Sequence, residues 1–231
     1  MSPIGQNLAS IQTRISELAV RAGRAPDAVR LVAVSKTHPA GAVVAAASAG
    51  QKIFGESRVQ EARDKIAVCP GGLEWHFIGQ LQKNKIRQAL PLFTLFHSID
   101  TTSLAENLNR IAGETGTCVA GLIEVNVSGE ATKHGFNPDL LAQEWSHLAG
   151  LPHLRLRGLM TMAPYSDEAE QARPVFRALR QLRDALQQAH GAALPELSMG
   201  MSGDFEPAIE EGSTLVRIGT AIFGGRPSPQ P

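Results

Sequence analysis

Eight short apolar runs punctuate the chain, at 30–35, 52–54, 75–78, 95–99, 118–125, 154–160, 197–199 and 215–218, mostly separated by stretches with helical spacing. Runs that stay apolar almost throughout suit strands covered on both faces, the habit of parallel sheets. Strand and helix in alternation specify an α/β architecture. Eight such units in 231 residues predict a (β/α)8 barrel at the small end of its size range. A doubly wound sheet is the rival, because two of the runs are short. Ahead of the first run, Ile4, Leu8, Ile11, Ile15 and Leu18 follow a 4, 3, 4, 3 spacing. That spacing marks one face of an amphipathic helix within 1–23, closed by Gly23 and Pro26. Val175, Leu179, Leu182 and Leu186 predict another helix over 167–190. Leu104, Leu108 and Ile111 predict one starting near Thr101. No linker or low-complexity block interrupts the pattern, so one barrel domain over 1–231 is expected, with 226–231 as a frayed tail.

Composition narrows the function classes. With 22 basic and 22 acidic residues the formal net charge is zero, which leaves no basic excess for a nucleic-acid partner. No apolar run reaches membrane-spanning length, and the N-terminal residues lack a signal-peptide pattern. The two cysteines, Cys69 and Cys118, form no CxxC pair and read as reduced thiols of a cytoplasmic protein. The seven histidines show no metal-ligand spacing, so no metal is expected. No strongly apolar exposed stripe stands out, and a monomer is expected. "GMSG" is not the nucleophile elbow, and no dinucleotide or Walker loop is present.

The polar residues collect where the runs end. Lys36 follows the first run and "FGES" (54–57) the second. "WHFIGQLQKNK" (75–85), "HSID" (97–100), "EVNVSGEATKHGF" (124–136) and "GLMTM" (158–162) contain or close the next four. "SMGMSGD" (198–204) and "VRIGTAIFGG" (216–225) accompany the last two. In a barrel these stretches meet at the C-terminal mouth, where active sites sit and where phosphate is often held after strands seven and eight. Gly200, Gly203 and Gly219 allow close backbone approach, Ser202 and Thr220 offer hydroxyls, and helix starts present free amides. The plainer alternative is a pair of capped turns. Lys36 is either a solvated strand-end charge or an amine placed for carbonyl chemistry; desolvation in a barrel mouth favours the second. A lysine beside a phosphate site suggests a Schiff base, with pyridoxal phosphate or with a sugar phosphate in a cofactor-free aldolase. Arg217 should point inward with Lys36 by strand alternation. It then either pairs with Glu124 or Glu56, or faces a pyridine nitrogen, where a guanidinium that stays protonated weakens the ring as an electron sink. His76 reads as a hydrogen-bonded core histidine. Met160, Met162, Met199 and Met201 line a pocket or fill a core.

The motifs "AVSKTHP", "FGESRVQE", "WHFIGQLQKNK", "HSID", "KHGF", "GLMTM", "LSMGMSGDFEPAI" and "TLVRIGTAIFG", in order from 31 to 224, resemble the pyridoxal phosphate homeostasis proteins. These are small single-domain relatives of the alanine racemase barrel domain. The resemblance implies a modified (β/α)8 barrel holding pyridoxal phosphate as an internal aldimine on Lys36. It implies phosphate contacts at Ser202, Gly219 and Thr220, a ring-nitrogen contact at Arg217, and Met199 and Met201 near the cofactor. Two positions depart from the family's usual pattern: Ser57 stands where a pocket asparagine is usual, and Gln80 interrupts "IGHLQ".

The same resemblance implies a role in keeping the cofactor available inside the cell, with apo-enzymes as recipients and no established turnover. Racemisation needs a second acid on the face opposite the lysine, and the only tyrosine is Tyr165, after the sixth run. A non-catalytic cofactor-binding protein is therefore expected. A weak pyridoxal-phosphate racemase is the first alternative, and the cofactor-free aldolase the second.

Overall fold

A computed structural model describes residues 2–130 and 133–225; the tail expected at 226–231 lies outside them. Eight parallel strands close into a barrel in sequence order: β1 (Arg30–Val34), β2 (Ile53–Glu56), β3 (Glu74–Phe77), β4 (Leu95–Ile99), β5 (Val119–Glu124), β6 (Leu154–Met160), β7 (Glu196–Ser198) and β8 (Leu215–Ile218). The pairing of β1 with β8, Val32 opposite Arg217, closes the ring. That closure rules out the doubly wound sheet.

Helix α1 (Pro3–Arg21) starts where the Ser2 hydroxyl accepts the Gly5 amide at 3.2 Å, with Pro3 in its first turn. It ends two residues short of the expected 23, where Gly23 turns the chain at φ +72°. Around the barrel run α2 (Ala40–Ser48), α3 (Val59–Ile66), α4 (Ile86–Ala89), α5 (Thr102–Glu114), α6 (Pro138–Ala149), α7 (Arg173–His190), α8 (Phe205–Glu210) and α9 (Thr220–Phe223). Thr101 caps α5, its hydroxyl accepting the Leu104 amide. The helix expected over 167–190 divides: a 3-10 turn covers Ala169–Ala172 and α7 begins at Arg173. Pro174 explains the break, because proline is tolerated in a helix's first turn and not in its interior.

Two apolar layers hold the barrel. The larger lies between sheet and helices and includes Phe54, Phe77, Trp145 and Phe176, each at most 1% exposed. The smaller fills the barrel interior with Val32, Leu95, Leu122, Met160 and Leu215. Helix α1 packs on α2, α8 and α9. Arg14 forks onto Glu206 at 3.0 and 2.8 Å, and the Asn7 amide donates to the Ile222 carbonyl at 3.1 Å. The N-terminal helix thus braces the two short helices that follow β7 and β8.

Candidate functional site

The C-terminal mouth of the barrel opens into a cavity of about 510 Å³, within the roughly 300–1,000 Å³ range of small-molecule sites. Lys36, Met201, Ser202, Arg217, Gly219 and Thr220 all line it. Val34, His38 and Ile78 add to the floor, and the segment from Met162 to Ala169 forms one wall.

Lys36 is half-buried two residues past β1, and both its neighbours are anchored. The Lys65 ammonium donates to the Ser35 carbonyl, to Glu56 Oε1 and to Glu61 Oε1, each at 2.7 Å. The Ser35 hydroxyl also donates to Glu56 Oε1 at 2.7 Å. On the other side the Thr37 amide donates to Glu61 Oε1 at 2.6 Å. Thr37 has φ +68°, alone among the described non-glycine residues in the left-handed region. Such a conformation costs about 1–3 kcal/mol and persists only where the surroundings impose it. Here the Glu56–Lys65–Glu61 cluster imposes it, and the turn aims Lys36 into the mouth.

Arg217 points inward from β8 and is 5% exposed. One terminal nitrogen donates to the Ser198 carbonyl at 2.9 Å and hydroxyl at 2.5 Å; the other donates to the Thr161 carbonyl at 3.0 Å. Three of its five N–H groups are thereby used. Glu124 and Asp204 act on it only through space. Burial pulls its pKa down to about 10, against the pull of those two carboxylates, so it remains a cation at neutral pH. The pairing with Glu124 or Glu56 weighed above is not formed: Glu56 faces outward to Lys65.

Gly200 takes φ +93° two residues after β7, and a Cβ there would lie 2.6 Å from the Ala208 Cβ. Only glycine fits. It lets the chain fold back so that Met201 donates its amide to Asp204 Oδ1 at 2.5 Å, presenting Ser202 and Gly203 to the cavity. Opposite, Gly219 and Thr220 open α9, whose first amides have no acceptor within the helix. Asp204 also lines the cavity, and burial pushes its carboxyl above the usual range.

Ser57 and Met199 do not line the cavity. Met199 is fully buried in the layer between sheet and helices. The reason is parity: β7 is Glu196–Ser198, and with Ser198 inward the next side chain points outward. Ser57 stands behind the β3 exit, where a Cβ on Gly79 would lie 2.3 Å from the Ser57 carbonyl. Sequence reasoning missed His38, whose ring lies 5.2 Å from that of Phe223 and whose pKa burial lowers. Of the wall from Met162 to Ala169 it gave only Met162, as a pocket or core residue; the loop between β6 and α7 could have signalled the rest. Tyr165 sits on that wall 93% exposed, its hydroxyl donating to Asp167 at 3.0 Å. Among the described residues no group of three His, Cys, Asp or Glu side chains could hold a metal, and no helix is long and apolar enough to cross a membrane.

An amine faces a buried cation across a cavity with hydroxyls and short-helix amides at one end. That donor set suits a phosphorylated carbonyl compound. Residues 6–227 match the family model described as alanine racemase, N-terminal domain. The chain is 45% identical over 222 residues to the pyridoxal phosphate homeostasis protein of Aquifex aeolicus, covering 96% of this chain and 97% of that one. It is 44% identical to the protein of the same name from Escherichia coli K12, with 98% of each covered. PipY of Synechococcus elongatus PCC7942, solved with PLP bound, superposes with a TM-score of 0.84 at 39% identity, over 96% of this chain and 100% of that one. An alanine racemase of Clostridium difficile 630, 18% identical, shares the fold with a TM-score of 0.74 over 97% of this chain and 58% of that one. The chain belongs to the pyridoxal phosphate homeostasis protein family, built on the barrel of the alanine racemase N-terminal domain.

Proposed function

We propose that this chain binds pyridoxal phosphate through Lys36 and serves intracellular cofactor supply rather than turnover. One observation carries the reading: Lys36, Arg217, Ser202, Gly219 and Thr220 line a single cavity. Its donor set matches the cofactor group by group. The Lys36 amine suits the aldehyde, condensing with loss of one water to a Schiff base. The hydroxyls of Ser202 and Thr220 and the amides around Gly219 suit the phosphate. Arg217 keeps N–H groups for an acceptor such as the ring nitrogen. Met201 lies alongside, while Ser57 and Met199 act from behind the lining. When bound, the cofactor supplies an electron-accepting ring and a reversible covalent link to an amine.

The surroundings favour carriage. A guanidinium opposite the ring nitrogen holds that nitrogen unprotonated, which limits carbanion stabilisation. Tyr165, the phenol that could serve as a second acid, points out to Asp167. The exposed rim at Tyr165 and Met162 leaves the mouth open for release to apo-enzymes. A cytoplasmic monomer of one domain is the working form.

The test is the visible spectrum of the protein with added pyridoxal phosphate, followed by borohydride reduction and peptide mapping. A yellow band bleached by reduction, with the adduct on Lys36 and no band in Lys36→Ala, is expected. No adduct on Lys36 would sink the binding reading. Steady amino-acid racemisation lost in Lys36→Ala would sink the carrier reading while sparing the cofactor.

A further inference from the structure

Arg217 does not end its contacts at Ser198. The Ser198 hydroxyl lies 2.8 Å from His97 Nδ1, His97 Nε2 lies 3.0 Å from His76 Nδ1, and His76 Nε2 lies 2.8 Å from Glu74 Oε1. The five residues come from β8, β7, β4 and β3 and cross the barrel interior. Ser198, His76 and His97 are fully buried. The line begins at the cavity and ends at Glu74, 40% exposed at the N-terminal start of β3.

Hydrogen-bond counting fixes the direction of every proton. His76 holds the Glu74 carboxyl below the usual range, so Glu74 accepts and His76 Nε2 carries a proton. If His76 is neutral, its Nδ1 accepts from His97 Nε2–H. His97 Nδ1 then accepts from the Ser198 hydroxyl, whose oxygen accepts from Arg217. Every donor and acceptor is satisfied. If His76 is charged, His97 must reverse and donate to Ser198. The Ser198 oxygen then accepts from both sides, and its own proton has no acceptor among the described residues. A buried hydroxyl proton without a partner is costly. Burial above all keeps the His97 ring well below its usual range, so His97 is a neutral ring in either arrangement and the hydroxyl count decides between them.

We propose that Ser198 and His97 are positioning residues: through a one-way hydrogen-bonded chain from Arg217 to Glu74 they fix the plane of the guanidinium that faces the cofactor ring. The chain does for Arg217 what a contacting carboxylate does elsewhere. It supplies an oriented acceptor, polarised along its length by a distant negative end. The orientation of the two remaining N–H groups then follows from the barrel and not from the ligand. The inference rests on the pyridoxal phosphate reading above.

Two measurements test it. Ring nitrogen-15 spectra of the cofactor-free protein at pH 8 should show His76 and His97 each carrying a proton on Nε2 and none on Nδ1. A charged His76, or His97 protonated at Nδ1, overturns the proposal whatever the cofactor does. Second, Ser198→Ala should weaken pyridoxal phosphate binding about 10-fold or more, the loss typical of a buried hydrogen bond to a charged group. It should also move the ring-nitrogen resonance of labelled, bound pyridoxal phosphate, and Ser198→Thr, which keeps the hydroxyl, should restore it. Affinity within twofold of wild type and an unmoved resonance, even with a lower melting temperature, mean a merely structural serine and overturn the proposal. Wild-type protein that gives no Lys36 adduct on reduction fails the cofactor reading instead, and the tautomer result still decides the chain.

Discussion

Lys65→Met is the substitution that most directly probes how Lys36 is held. It removes an ammonium that contacts Glu56, Glu61 and the Ser35 carbonyl, each at 2.7 Å. Methionine fills most of the volume, so little cavity forms. The cost comes from Glu56, fully buried with its second carboxylate oxygen unpartnered. Without Lys65 its charge keeps only the Ser35 hydroxyl. Breaking a buried ion pair from one side costs about 3–5 kcal/mol, a large share of the roughly 5–15 kcal/mol that stabilises a domain. At about 2–4 °C per kcal/mol for a chain of this size, the melting temperature should fall by roughly 6–20 °C. Urea melts of the cofactor-free protein measure this without reference to ligand. The decisive variant is Lys65→Met with Glu56→Gln. The amide still accepts from Ser35 and buries no charge, so the double variant should be more stable than Lys65→Met alone by about 1.5 kcal/mol or more. A loss below about 1 kcal/mol in the single variant, or plain additivity in the double, would refute the account of the cluster as a buried, mutually dependent pair. Cofactor affinity should fall with Lys65→Met as well, because the Ser35 side of the Lys36 turn is released.

Glu124, 5% exposed at the end of β5, has its carboxyl pushed up to about 7, first by burial and then by Asp100, against Arg217 and His134. The folded chain therefore binds this proton more tightly than the unfolded one, whose carboxyl titrates near 4.5. That contribution is complete below pH 4.5 and lost as pH rises to 7, a swing of about 3 kcal/mol. Glu124→Gln should abolish this part of the pH dependence, and denaturant melts at pH 4.5 and pH 8 check it. Gly200→Ala forces a Cβ to 2.6 Å from Ala208 at φ +93°. It should cost about 2–4 kcal/mol by strain and overpacking and weaken phosphate-dependent binding more than it weakens binding of pyridoxal without phosphate; equal losses for the two ligands would show that this turn does not shape the phosphate end.

The barrel was legible because its strands are apolar and its mouth is not. β4, β6 and β8 fall within the runs read from the sequence, and Lys36 and Arg217 line one cavity because both occupy inward positions. Errors came where one residue decides. β7 is three residues long, and its alternation turns Ser198 inward and sends Met199, which the family resemblance put at the cofactor, to the outer layer. That parity exchanged a methionine expected at the cofactor for a serine that no motif singled out. His76 was recognisable as a hydrogen-bonded core histidine. Its partner His97 was not, since the pairing joins strands 21 residues apart through the barrel interior. The signal was available: a histidine in each of two adjacent apolar strands, both in phase with inward side chains. Beyond Met162, the wall that runs to Ala169 was invisible for another reason, because loops carry no period.

Helix α1 lies against α8 and α9, and β1 is zipped to β8. On the ribosome this imposes a timetable. Lys36 emerges early, but Arg217, the register partner of Val32 in the closing seam, is added nearly the whole chain later, a delay on the order of tens of seconds at about 5–20 residues per second. Until then β1 has one bare edge and α1 has only α2 to pack on. A nascent chain thus displays Lys36 before Ser202, Gly219 and Thr220 exist, and α1, made first, waits for the closing strand and the helices it braces. On the proposed reading of Lys36 as the aldehyde's anchor, full capture is deferred to chains whose synthesis has passed Thr220, and shorter ones carry the amine without the proposed phosphate contacts.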